Sequence, residues 1–257
     1  MPSDNGRQRS TVDELARSLR SQMTPVNSRF NFFAIFPVRE DDLREYVHDP
    51  IAALPAEICA LLPPTGIVLT PYLEKPTGRK YPSVVYEKPP ESKLIFSTRV
   101  DADDFATFFF TIKDEQISDY HYFLYDALAA LVAKRAPADV MAGWMALLRT
   151  EIETQVHGEV DEASWRLKQA VLRRPESTRT EGKPFRDYGR QSFEDTLTLY
   201  LHGVCCDIDV DPGPRQLPSR FLRKRLELLR GMFPPPEGYA VFPEDQKREP
   251  STPKRLM

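Results

Sequence analysis

The chain has 257 residues, 41% apolar and 28% charged, close to the averages of folded globular proteins, so wholesale disorder is excluded and there is length enough to bury a core. Its 35 basic and 38 acidic residues give a formal charge of −3. That balance excludes a global field for nucleic acid or an anionic membrane and leaves only local patches.

Residues 1–9 read as a polar tail. Ser10, with Asp13 three residues on, predicts a helix start, and Val12, Leu15, Ala16 and Leu19 share one side of the helix that follows. Phe30, Phe32, Ala34 and Phe36 alternate with Phe33 and Ile35, which predicts a strand covered on both faces over residues 29–36. Residues 39–62 predict two short helices broken at Asp49-Pro50, the second packing through Ile51, Leu54, Ile58, Leu61 and Leu62.

A β-rich stretch comes next. Residues 67–73 and 81–87 flank a loop with Pro76 and Gly78 and predict one hairpin. Residues 94–100 and 105–112 flank Asp101, Asp103 and Asp104 and predict another. After Ser118 the apolar period becomes helical. A nearly all-apolar helix spans residues 118–135, with Tyr120, His121, Tyr122, Phe123 and Tyr125 crowded at its start. A second carries Met141, Trp144, Met145, Leu148 and Ile152, and a third covers residues 159–173. Residues 173–190 are expected to be a mobile loop, since no apolar side chain stands between Arg173 and Lys183. Ser192 with Asp195 resembles a capping box opening a helix over residues 193–204. The last helix covers about residues 218–232, and residues 234–257 read as a proline-rich extended tail. Strands first and helices afterwards predict an α+β fold: a four- or five-stranded, mainly antiparallel sheet with a mostly helical C-terminal half packed on it, in a single domain over residues 10–233.

Three groups of residues are chemical candidates. Asp207, Asp209 and Asp211 alternate, so three carboxylates on one side of an extended segment suit a divalent cation; under that alternative reading the protein is a metal-dependent hydrolase of the phosphoesterase kind. Pro212 and Pro218 stand where a calcium loop of the helix–loop–helix type needs glycine and glutamate, so a solvated acidic loop is the plainer account. His202, Cys205 and Cys206 form a thiol and imidazole cluster, but zinc needs four ligands, and His48, His121 and His157 are scattered. Arg220, Arg223, Lys224 and Arg230 lie around one side of the last helix, opposite a seam of Leu222, Leu226, Leu229 and Phe233. Such a helix suits phosphates or another anion, an acidic partner protein, a membrane surface or, more weakly, nucleic acid.

The phosphate-loop, dinucleotide-fold, hydrolase-elbow and zinc-protease motifs are all missing from the sequence. The odd cysteine count, with Cys59 apart from the adjacent pair, predicts reduced thiols. The polar start, and a longest apolar run of only residues 127–133, predict a soluble cytoplasmic protein with no transmembrane segment. No catalytic residues and no cofactor are expected. The reading that remains is a non-catalytic protein-interaction or assembly protein.

Overall fold

The computed structural model describes residues 10–242 and 244, except 77, 79, 103, 175 and 206–214. The chain forms two compact units. Unit 1 takes residues up to 52 and 59–135; unit 2 takes residues 53–58 and those from 136 onward.

Unit 1 opens with α1 (Val12–Leu19), whose first turn is held by Glu14 accepting a hydrogen bond from the Thr11 backbone N–H at 3.0 Å. Thr11 is therefore the cap, one residue beyond the expected Ser10, because a glutamate at the third helical position reaches back further than Asp13 does. Val12, Ala16 and Leu19 pack on Val68, Leu73, Val84, Val100 and Phe109. Burying a valine or leucine contributes about 1.5–3 kcal/mol, enough to hold a helix of two turns that would not persist alone.

The main sheet has five strands: β1 (Thr24–Pro25), β2 (Phe30–Ala34), β3 (Thr65–Thr70), β7 (Ser97–Ala102) and β8 (Phe105–Thr111), in the order β1-β2-β3-β8-β7. A smaller antiparallel sheet has β4 (Tyr72–Glu74) between β5 (Ser83–Val85) and β6 (Leu94–Ile95). The second expected hairpin exists as the β7–β8 pairing, whereas the first is corrected: only Tyr72–Glu74 pairs with Ser83–Val85, and residues 67–70 belong to β3, which pairs in parallel within the main sheet. The expectation of a mainly antiparallel sheet is corrected: β2, β3 and β8 run parallel, with Ile67 opposite Phe32 on one side and Phe108 on the other. Hairpin signals report only pairing between sequence neighbours. The long connections, from β2 to β3 through helical residues 40–61 and from β3 to β8 through four further strands, allow parallel return. Every residue of β3 and β8 is buried, as two-sided cover requires.

The β2–β3 connection holds α2 (Glu40–Leu43), a π-helical turn over residues 44–48, α3 (Asp49–Ala52) and α4 (Ala56–Leu61). Unit 1 closes with α5 (Ile117–Arg135). Its Tyr125 hydroxyl donates to the Pro50 carbonyl at 3.1 Å, and His121 Nε2 lies 2.9 Å from the Glu45 carbonyl oxygen. His121 is thus a buried packing residue, and burial lowers its basicity.

Unit 2 is helical: α6 (Ala138–Glu153), α7 (Glu162–Leu172), α8 (Glu176–Arg179), α9 (Lys183–Cys205) and α10 (Ser219–Met232). α9 is the central helix and touches the other four. The expected loop over residues 173–190 is corrected, because it contains α8 and the first two turns of α9. Phe185 and Tyr188 are fully buried and recruit those turns. Ser192, expected as a cap, lies in the middle of α9 for the same reason. Among the described residues no helix is long and apolar enough to cross a membrane.

Candidate functional site: a buried ion cluster beneath a basic cleft

Arg225 lies at the centre of the buried face of α10 and is fully inaccessible, together with Leu229. Around it α6 supplies Glu151, the segment between α6 and α7 supplies Glu159, α7 supplies Lys168, and α9 supplies Tyr188 and Ser192. All five are buried.

The Arg225 guanidinium has five N–H donors, and each has an acceptor. Nε donates to Glu151 Oε1 at 3.1 Å, and Nη2 donates to Glu151 Oε2 at 2.6 Å and Glu159 Oε1 at 2.9 Å. Nη1 donates to Glu159 Oε2 at 2.7 Å and Ser192 Oγ at 2.9 Å. The Tyr188 hydroxyl donates to Glu159, and Lys168 Nζ lies 3.2 Å from Glu159 Oε1 while donating to the Gly158 carbonyl at 2.8 Å. Two carboxylates thus face two cations, and the cluster is neutral.

Burial alone would raise the Glu159 carboxyl, but hydrogen bonds and charge from Arg225, with Lys168 and Tyr188, outweigh it and hold the group below its ordinary value. Burial lowers Lys168, and Glu159 offsets only part of that. Desolvation also acts against the Arg225 cation, yet Glu159 and Glu151 hold it more firmly charged than in water. Next to this cluster, burial pushes the Asp195 carboxyl up to about 6, although the Gln191 amide donates to its Oδ1 at 2.8 Å.

Glu159 is placed by backbone. Its N–H donates to the Arg215 carbonyl at 2.9 Å, and its carbonyl accepts from the Leu217 N–H at 3.0 Å, so one bridge fixes it against the chain that leads into α10. Gly158 makes this approach possible: its φ is +85°, and a Cβ there would lie 2.2 Å from the Gln216 carbonyl oxygen.

Above the cluster α6 and α10 bound a cleft of about 350 Å³. Leu147, Thr150, Glu151 and Thr154 line it from α6, and Arg220, Phe221 and Lys224 from α10. The Arg220 guanidinium lies 4.7 Å and the Lys224 ammonium 5.7 Å from the centre of the Phe221 ring. Among the described residues neither cation has a carboxylate partner, and the first turn of α10 holds no acidic residue.

The structure divides the basic residues expected to act together. Arg220 and Lys224 reach the cleft. Arg223 instead pairs with Glu227 at 3.0 Å and with Glu244. Arg223 and Arg230 also bracket the ring of Phe242, at 4.5 and 5.2 Å, and Phe242 is buried, so the start of the expected extended tail is packed. The leucine seam holds an arginine, Arg225, at its centre, three residues from Leu222 and four from Leu229. That charge at a core spacing was the one sequence sign of the cluster.

His202 and Cys205 share α9 and are half-buried, while Cys206, Asp207, Asp209 and Asp211 lie outside the described residues. Among the described residues no three His, Cys, Asp or Glu side chains gather as a metal site. No protein family, curated protein or solved structure matches the chain.

Proposed function

We propose that this chain is a non-catalytic interaction protein whose α6–α10 cleft binds an acidic segment of a partner protein. The observation that carries the reading is a pair of cations without carboxylate partners among the described residues, Arg220 and Lys224, flanking Phe221 at the mouth of a partly apolar cleft. A carboxylate side chain of the partner pairs with each cation, and an apolar side chain between them rests on Phe221 and Leu147. The cleft is at the small end of ligand-sized sites, which suits one or two side chains. The α10 N-terminus adds favourable potential for a negative group. The charges below are committed to one another, so Glu151 and Glu159 serve as framework and not as proton carriers.

The test is fluorescence anisotropy of a labelled peptide of alternating glutamate and leucine with the full chain. Saturable binding is expected, weakened about tenfold or more by Arg220→Glu with Lys224→Glu, and weakened by added salt. Equal affinity in the double variant overturns the reading. So does an oligonucleotide bound more tightly than the peptide, since that assigns the cations to phosphates.

A further inference from the structure

Unit 1 carries a surface of the opposite character. α5 turns Asp119, Tyr122 and Asp126 to solvent, and their spacing places them along one stripe of the helix. Tyr122 is 40% exposed. Its ring meets that of Phe123 edge-on at 6.2 Å, and Phe123 stacks on Phe96 with centroids 5.1 Å apart and planes 5° from parallel. Phe96 is 38% exposed and follows β6 directly, its carbonyl accepting from the Thr111 N–H at 2.8 Å.

The rings are therefore held in place before anything binds. The buried side of α5 is supplied by Tyr120, Leu124, Tyr125 and Leu128, while Tyr122 faces outward. Large aromatic rings grouped at the surface of a folded protein mark contact sites. The charge around these rings is mostly negative. Glu115 precedes the helix, and its carboxyl is raised by burial and by the neighbouring Asp119 and Asp114, with Lys88 offsetting part of the effect. Lys88 lies 3.9 Å from Asp114, and Lys113 sits over the Tyr72 ring.

We propose that the strip formed by Phe96, Tyr122 and Phe123, bounded by Asp119 and Asp126, docks an arginine-bearing segment of another protein. Ring faces carry negative potential, and a planar guanidinium stacks on them while its N–H groups pair with a carboxylate beside the ring. The stripe offers a carboxylate within one turn on either side of Tyr122, which matches that geometry. Lysine has the charge but not the plane, so arginine is favoured. This surface is independent of the α6–α10 cleft and shares no residue with it.

The experiment titrates a labelled peptide of alternating arginine and serine into the full chain, with anisotropy as readout. Saturable binding is expected, weakened about tenfold by Tyr122→Ser and by Asp126→Lys, and unchanged by Arg220→Glu with Lys224→Glu. A lysine–serine peptide is expected to bind several-fold more weakly. Both substituted side chains are exposed, and an unchanged melting temperature confirms that the variants fold. The proposal is overturned by no saturable binding, by equal affinity in Tyr122→Ser, or by equal affinity for the lysine peptide. Self-association of the chain without peptide, lost in Tyr122→Ser, also overturns it and assigns the strip to a second copy.

Discussion

Arg225 brings a full positive charge into the interior of unit 2, and the penalty for that is several kcal/mol unless every donor is met. Glu151, Glu159 and Ser192 meet them all, so the consequence of a substitution depends on which partner remains. Arg225→Ala leaves two buried carboxylates, of which Glu159 alone keeps a cation partner, Lys168 at 3.2 Å, among the described residues. A loss of about 3–5 kcal/mol is expected, read as a lower urea midpoint. Asp195 and Glu159 respond to pH in opposite senses. The folded Asp195 carboxyl titrates at about 6 against an ordinary 3.8, so the folded state binds the proton more tightly than the unfolded chain does. Its contribution therefore favours folding at acid pH and is lost as pH rises between those two values. Glu159 acts in the reverse sense, because its lowered value gives stability that is present at neutral pH and lost as pH falls. Asp195→Asn keeps the acceptor used by Gln191 and removes the charge. It is expected to raise stability on the order of 1–3 kcal/mol near pH 7 and by much less near pH 4, measured by urea unfolding at both.

In unit 2 a short backbone bridge joins the segment between α6 and α7 to the chain that leads into α10. Gly158 has a left-handed φ and stands against the Gln216 carbonyl, and the next residue, Glu159, bonds to the backbone on both sides of Gln216. A side chain at 158 forces this strand-like contact open and draws Glu159 away from Arg225. Gly158→Ala is thus expected to cost about 2–4 kcal/mol, more than the strain of an ordinary left-handed alanine. The cluster reports the loss: in the Gly158→Ala background, Arg225→Ala is expected to cost less than in the parent chain, a coupling that a double-mutant cycle in urea measures. Additive effects would show that the bridge and the cluster are independent. α9 makes the same point about elements. Its first two turns lie in a polar stretch, and the buried rings of Phe185 and Tyr188, with the Trp144 indole N–H donating to the Gly189 carbonyl at 3.1 Å, hold them helical.

At the scale of the molecule the units are not consecutive pieces of chain. Residues 53–58 belong to unit 2 although unit 1 surrounds them in sequence, and Ala53, Leu54 and Ile58 are almost wholly buried. A fragment of residues 136–257 lacks those three apolar side chains. Each buried aliphatic side chain contributes about 1.5–3 kcal/mol, so the fragment is expected to bind a hydrophobic dye and melt at lower temperature than unit 2 does in the full chain. A fragment with a sharp, undiminished transition and no dye binding would show that residues 53–58 contribute nothing to the unit.

Local rules sufficed for much of this. The stripe Val12-Ala16-Leu19, the apolar run of β8, the β7–β8 hairpin and the order of strands before helices all follow from side chains a few residues apart, and from them α+β follows as well. The basic character of α10 was legible for the same reason. Three things needed the tertiary structure. Parallel pairing of β2, β3 and β8 joins segments separated by long connections, on which no local period reports. The early start of α9 depends on what covers its rings. Arg225 could be told from its basic neighbours only by its acceptors, because Glu151 and Glu159 stand 74 and 66 residues away in the chain. Hydrophobic periodicity shows which face of a helix turns inward; whether a charge on that face finds its counter-charge is decided by distant segments meeting in space.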